Sequence, residues 1–114
     1  MNIWTVFGIT IVVVFLVYFV VEHHRFLLTA TLIAQAVPYE QAGDGARVLV
    51  VGDSTGYGTG VKDAKESVAG RLGRDFPQLA IENRSVNGDT IAEATERVRD
   101  LATEYDIILL QLGG

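Results

Sequence analysis

Gly52-Asp53-Ser54-Thr55-Gly56 follows directly on the apolar run Val48-Leu49-Val50-Val51. A serine set between glycines at the end of a strand can act as a nucleophile, hold a phosphate, or simply cap a helix. As a nucleophile, its hydroxyl would attack a carbonyl carbon, and backbone amides nearby would have to hold the resulting oxyanion. Two further stretches offer amides with no side chain in front of them, Asn87-Gly88 and Gly113-Gly114. Phosphate binding finds weaker support. No Gly-Lys pair exists for a P-loop, and Gly56, Gly58 and Gly60 give G-x-G-x-G where a dinucleotide fingerprint needs G-x-G-x-x-G. A looser flavodoxin-type loop, with Ser54, Thr55 and Thr59 as donors, stays open. Gly52 to Gly56 also satisfies the G-x-S-x-G expression of a nucleophile elbow. That elbow belongs deep inside a larger sheet, however, and here it follows the first strand of the soluble part.

The elements that must position these residues are legible as alternating periodicities. Arg47 to Val51 reads as a strand covered on both faces. Lys65 to Phe76 carries Val68, Leu72 and Phe76 on one helical face, with Gly70 and Gly73 as weak points and Pro77 as the stop. Leu79 to Val86 alternates Leu79, Ile81, Asn83 and Ser85 on one side, an edge strand with one poorer face. Thr90 and Glu93 have the spacing of a capping box, and Ile91, Ala94, Val98, Leu101 and Tyr105 mark the buried stripe of the helix that follows. Ile107 to Leu112 is a third apolar strand. Strands separated by helices imply parallel pairing with right-handed crossovers. If the first strand is central, with the second and third on either side of it, Ser54 sits where strand order reverses, the usual ligand site of such sheets.

These residues resemble the SGNH, or GDSL, hydrolase family. Gly52-Asp53-Ser54 looks like its first block, Asn87-Gly88 like its second, and Leu109 to Gly114 like the approach to its third, Gly-x-Asn-Asp, with Gly113 in the first position. The resemblance covers roughly 47–114, and Thr55 stands where the family commonly has an apolar residue. It implies an α/β, flavodoxin-like three-layer fold with a parallel sheet, of which only the first three strands are present. It also implies a serine ester hydrolase (esterase, lipase, thioesterase or carbohydrate deacetylase) acting through an acyl-serine. Ser54 would be the nucleophile and supply one oxyanion amide, and Gly88 would supply another. The family's late Asp-x-x-His block, which provides acid and base, has no counterpart here. The sequence is therefore expected to be the front part of a larger domain, inactive by itself. The competing readings are a flavodoxin-like phosphate or nucleotide binder and a non-catalytic remnant.

Ahead of this domain, Ile3 to Val21 contains no charged residue. As a helix these residues would extend about 28 Å, close to the hydrocarbon thickness of a bilayer. Trp4 and Tyr18 suit the two interfaces. A retained anchor is preferred to a signal peptide, because the start lacks a basic residue, and to a buried core helix. Residues 1–25 are thus expected to form a single-pass transmembrane anchor, 26–45 a short apolar segment closed by Pro38 and a polar linker, and 46–114 the hydrolase part. Arg25 alone favours a cytoplasmic C-terminal side, which leaves the orientation undetermined. His23 and His24 read as interfacial polar residues. From Glu40 onward eight Lys/Arg face thirteen Asp/Glu, a net charge of −5 with no basic stripe, so no nucleic-acid partner is expected. The absence of cysteine excludes disulfides, thiolate metal sites and a cysteine nucleophile. No cofactor or metal is expected. The partners are a small-molecule, lipid or carbohydrate ester and the membrane.

Overall fold

The computed structural model of the chain describes residues 1–113. It contains two compact units, Met1–Thr31 and Leu32–Gly114. The first unit is the greater part of helix α1, Ile3–Gln35, 33 residues long and with no buried residue. That corresponds to about 50 Å of helix. The side-chain oxygen of Asn2 accepts from the Trp4 amide at 2.9 Å and caps the start. Thr10, Thr29 and Thr31 each donate their hydroxyl to the carbonyl four residues back, at 2.9, 2.9 and 2.8 Å. Their polar groups are thereby satisfied inside the helix, as an apolar environment requires. Among the described residues, α1 is a helix long and apolar enough to cross a membrane, a property that signal sequences share. The helix does not break at Arg25. Glu22 and Arg25 pair at 3.3 Å along one face, the Phe19 and His23 rings stack, and no glycine or proline occurs between Arg25 and Pro38. The apolar residues from Phe26 to Gln35 therefore continue the same helix.

In the second unit the strands are β1 (Arg47–Gly52), β2 (Ala80–Asn83) and β3 (Ile107–Gln111). They form a parallel sheet in the order β2-β1-β3, with Val48 opposite both Ile81 and Ile107. The central position of β1 explains its unbroken branched run, because both faces are covered. Val48 and Val50 pack with Ala69, Leu79 and Ile81 on one face. Leu49 and Val51 pack with Ala94 on the other, joined by Val98, Leu101, Tyr105 and Leu112. Edge strand β3 is more open, with Ile108 60% and Leu110 65% exposed.

Two short helices precede β2: α2 (Ser54–Tyr57) and α3 (Val68–Asp75). Lys65 does not begin α3 as the periodicity predicts. Ala64–Glu66 is a single 3₁₀ turn, and the Ser67 hydroxyl accepts from the Gly70 amide at 3.1 Å to cap the α-helix after it. The buried face is also different. Of the expected stripe Leu72 packs against the core, but Val68 and Phe76 are about half exposed, whereas Ala69, Gly70 and Gly73 are buried. The glycines are there for close approach: a Cβ on Gly70 would run into the Ala64 and Lys65 backbone, and one on Gly73 into Tyr39 and Gln41.

Gln41, expected in a polar linker, belongs to the sheet. It forms an antiparallel bridge to Ile81 on the outer side of β2, with backbone bonds of 3.0 and 2.8 Å. Its Nε2 donates to Leu79 O at 2.9 Å, and its Oε1 accepts from the Tyr39 hydroxyl at 2.8 Å.

The last helix, α4, spans Ile91–Arg99 and has the expected capping box of Thr90 and Glu93. The carboxylate of Glu93 is held below its ordinary pKa by the Thr90 amide and then by the Thr90 hydroxyl. Ala94 is buried, but Ile91 at the head of the expected stripe is 68% exposed. Leu101 and Tyr105 do reach the core, from the loop after the helix.

Candidate active site

β1 runs straight into the serine turn. Ser54 is the first residue of α2, and Asp53 is its N-cap. One carboxylate oxygen of Asp53 accepts from the Thr55 amide at 2.9 Å and from the Thr55 hydroxyl at 2.7 Å. The other accepts from the Gly113 amide at 3.0 Å, just beyond the end of β3. These donors favour the ionised form, and the carboxyl lies below its ordinary pKa, chiefly through the Thr55 hydroxyl and then the Thr55 and Gly113 amides. The Asp53 amide in turn donates to Gln111 O at 3.1 Å, and the Thr55 hydroxyl lies 3.3 Å from the same carbonyl. The turn is thus tied to β3 by backbone and side chain together.

Its other side is tied to β2. Asn83 is buried and donates from Nδ2 to Gly56 O at 2.9 Å, while its Oδ1 accepts from the Ser85 amide at 3.0 Å. Leu79, Ile81, Asn83 and Ser85 do share one buried side, and its polar end has a purpose: it grips α2. Gly56 lies against Ser85 and Gln111, where a Cβ would clash with the Ser85 hydroxyl. Gly58, at φ +85°, ends α2 in the left-handed region, with its amide directed to the Ser54 and Thr55 carbonyls.

Ser54 is half-buried at the carboxyl end of the sheet. Gly88 lies beyond the end of β2 in a turn closed by a 3.2 Å bond from the Asp89 amide to Val86 O, and Val86 N donates to Gly52 O at 3.1 Å. That second bond seats the turn beside the residues leading to Ser54. Gly88 has φ +86° and open space where a Cβ would stand. Among the described residues, neither the Ser54 nor the Gly88 amide donates a hydrogen bond. Gly113, at φ +121°, likewise meets no described residue, its chain neighbours apart, where a Cβ would stand. The expectation placed on Gly114 lies outside the described residues. The Ser54 and Gly113 loops are therefore joined directly, through Asp53, and the Gly88 turn is joined to them one step back, through Val86 and Gly52. His23 and His24 lie in α1, in the first unit.

An open cavity of about 500 Å³ adjoins this edge, with Asp53, Gly113 and Leu112 on one side and Asp89, Thr90, Ile91 and Ala92 on the other. Asp89 is neutralised there by a two-pronged pairing with Arg97, at 2.9–3.1 Å. Another cavity, of about 530 Å³, runs along β2 and is lined by Glu40, Gln41, Ala42, Ile81, Glu82 and Arg84, none of which belongs to the serine turn. No group of three or more His, Cys, Asp or Glu among the described residues is placed to hold a metal ion.

Sequence reasoning singled out Ser54 and Gly88 but not the residues that hold them. Asp53 had a signal, since Asp directly before a short helix is a common cap. Asn83 had another, as an amide on the buried side of an apolar alternation. Gln111 had none, because it contributes through its carbonyl. Comparison with protein-family models finds no match to this chain, and comparison with curated proteins finds none either.

Proposed function

We propose that this chain carries the nucleophile and two oxyanion donors of a serine ester hydrolase of SGNH/GDSL type, held at a membrane by a single N-terminal span. The domain on this reading is flavodoxin-like, a parallel sheet between helix layers. The Ser54 hydroxyl attacks the ester carbonyl, and the Ser54 and Gly88 amides hold the oxyanion that forms. Collapse of this adduct expels the alcohol, which takes up a proton, and leaves the acyl group on Ser54. Water then hydrolyses the acyl-serine to release the acid. The acid and base that move these protons are expected from an Asp-x-x-His block after Gly114, since a serine hydroxyl is a poor nucleophile without a base in reach.

The observation that carries this reading is that the loops after β2 and β3 are both hydrogen-bonded to the turn that carries Ser54, at Gly52 and at Asp53. β1 is central, Ser54 stands at its carboxyl end, and the Gly88 and Gly113 loops are tied to it from either side. A helix cap alone needs none of these ties. The phosphate reading loses ground on the same residues. The Thr55 hydroxyl is engaged by Asp53, the Thr59 hydroxyl is buried, and the Asp53 carboxylate brings negative charge to the turn.

In a chain that continues into the Asp-x-x-His block, a fluorophosphonate probe is expected to label Ser54 alone. Ser54→Ala should abolish both labelling and hydrolysis without unfolding the domain. Gly88→Ala keeps the amide but forces a side chain into the left-handed region, and should lower the rate by roughly 10²–10³, the usual cost of one oxyanion donor. Labelling elsewhere, or activity retained in Ser54→Ala, would overturn the assignment.

A further inference from the structure

We infer that Asp53 is a positioning residue of this site: its carboxylate clamps the loop after β3 to the serine turn through the Gly113 amide. The geometry divides the two oxygens between two tasks. Oδ1 takes both donors of Thr55 and fixes the start of α2, while Oδ2 is left for the Gly113 amide at 3.0 Å. Gly113 is exposed and has φ +121°, and among the described residues other than its chain neighbours nothing lies within 4 Å of where a side chain would stand. Leu112 packs against the core, and beyond it the charge-assisted hydrogen bond to Asp53 is what seats Gly113. The backbone bond from the Asp53 amide to Gln111 O sets the register two residues earlier, so the carboxylate needs only to seat the last step of the loop.

Asparagine cannot replace the aspartate in both tasks. With its oxygen kept on Thr55, its NH₂ group meets the Gly113 N–H, donor against donor. The catalytic meaning of the clamp rests on the proposed role of Ser54, but the clamp itself can be tested without any reaction. Amide exchange in the full chain in lipid nanodiscs reads it directly. The Gly113 amide is expected to be protected in the unmodified chain and to exchange roughly 10-fold or more faster in Asp53→Asn. The β1 amides, Val48 to Val51, should keep most of their protection. Equal Gly113 exchange in the two proteins would overturn the clamp.

If the variant loses protection throughout, a measurement on the unmodified chain decides. The Gly113 amide proton shift should titrate with a carboxylate below the ordinary aspartate range. The other ionisable groups near Gly113 are Asp89, its partner Arg97 and the α-carboxyl of Gly114. The titration should therefore persist in Asp89→Asn and in the chain amidated at its C-terminus, and a Gly113 shift that is flat with pH, or that is lost in either, overturns the proposal. Failure of fluorophosphonate labelling would count against the hydrolase reading and leave these results unaffected.

Discussion

The contact between Gly56 and Ser85 shows how tightly the serine turn is seated. A Cβ on Gly56 would collide with the Ser85 hydroxyl and press on its Cβ at 3.2 Å. Gly56→Ala should therefore destabilise the domain by about 1–3 kcal/mol, as overpacking in a filled site does. Ser85→Gly removes both obstructing atoms, and the double variant should recover most of that loss, a coupling that denaturant unfolding of the full chain can measure. Strict additivity of the two changes would mean that the strain lies elsewhere. The Ser85 hydroxyl is buried and lacks a hydrogen-bond partner among the described residues. Its presence is thus not explained by any bond that it makes. From the sequence, Ser85 is legible only as the far end of an alternation, because its neighbour Gly56 is 29 positions away in the chain.

Between elements, the sheet is braced at the end opposite the serine by side chains from three segments. The Tyr105 hydroxyl, just before β3, donates to Glu82 on β2, and Arg47 at the start of β1 lies 5.5 Å from the Tyr105 ring centre. The brace reaches across the central strand, so it resists separation of both edges. Glu82 is held below its ordinary pKa, first by the Tyr105 hydroxyl and also by Arg84, and Tyr105 is raised by the same bond. A lowered carboxyl pKa contributes stability above the unfolded value, about 4.3, and that contribution is lost as pH falls below it toward the folded value. Tyr105→Phe removes the largest cause of the shift. The variant's melting temperature should fall less steeply than that of the unmodified chain as pH is lowered from about 5 to 3, a window set by the reference carboxyl value. Parallel curves would show that the brace does not favour the ionised carboxylate. Such a brace is not legible in the sequence, where Tyr105 reads as the end of a helical stripe that in fact closes at Arg99.

On the scale of the whole molecule, α1 and the sheet unit differ in where their apolar residues lie. α1 exposes Phe7, Phe15 and Phe19 at 62–70% and buries nothing. The sheet unit buries its branched residues on both faces of β1. Deleting Met1 to Val37 keeps Tyr39 and Gln41, which belong to the sheet unit, and should release the remainder from membranes. Persistence of the truncated protein in a salt-washed membrane fraction would refute a single anchor. What the sequence determined by itself is whatever depends on neighbours along the chain: the apolar helix, the capping box of Thr90 and Glu93, and the three strands and their turns. Only the tertiary structure decided that Ala69, Gly70 and Gly73, not Val68 and Phe76, face the core. The reason is steric, since small residues win a helix face where backbones must approach closely, and periodicity counts hydrophobicity without knowing that distance. The ties that build the candidate site, Asp53 to Gly113 and Asn83 to Gly56, are likewise tertiary. They join residues 60 and 27 positions apart, and a hydrogen bond of that range has no periodicity to announce it.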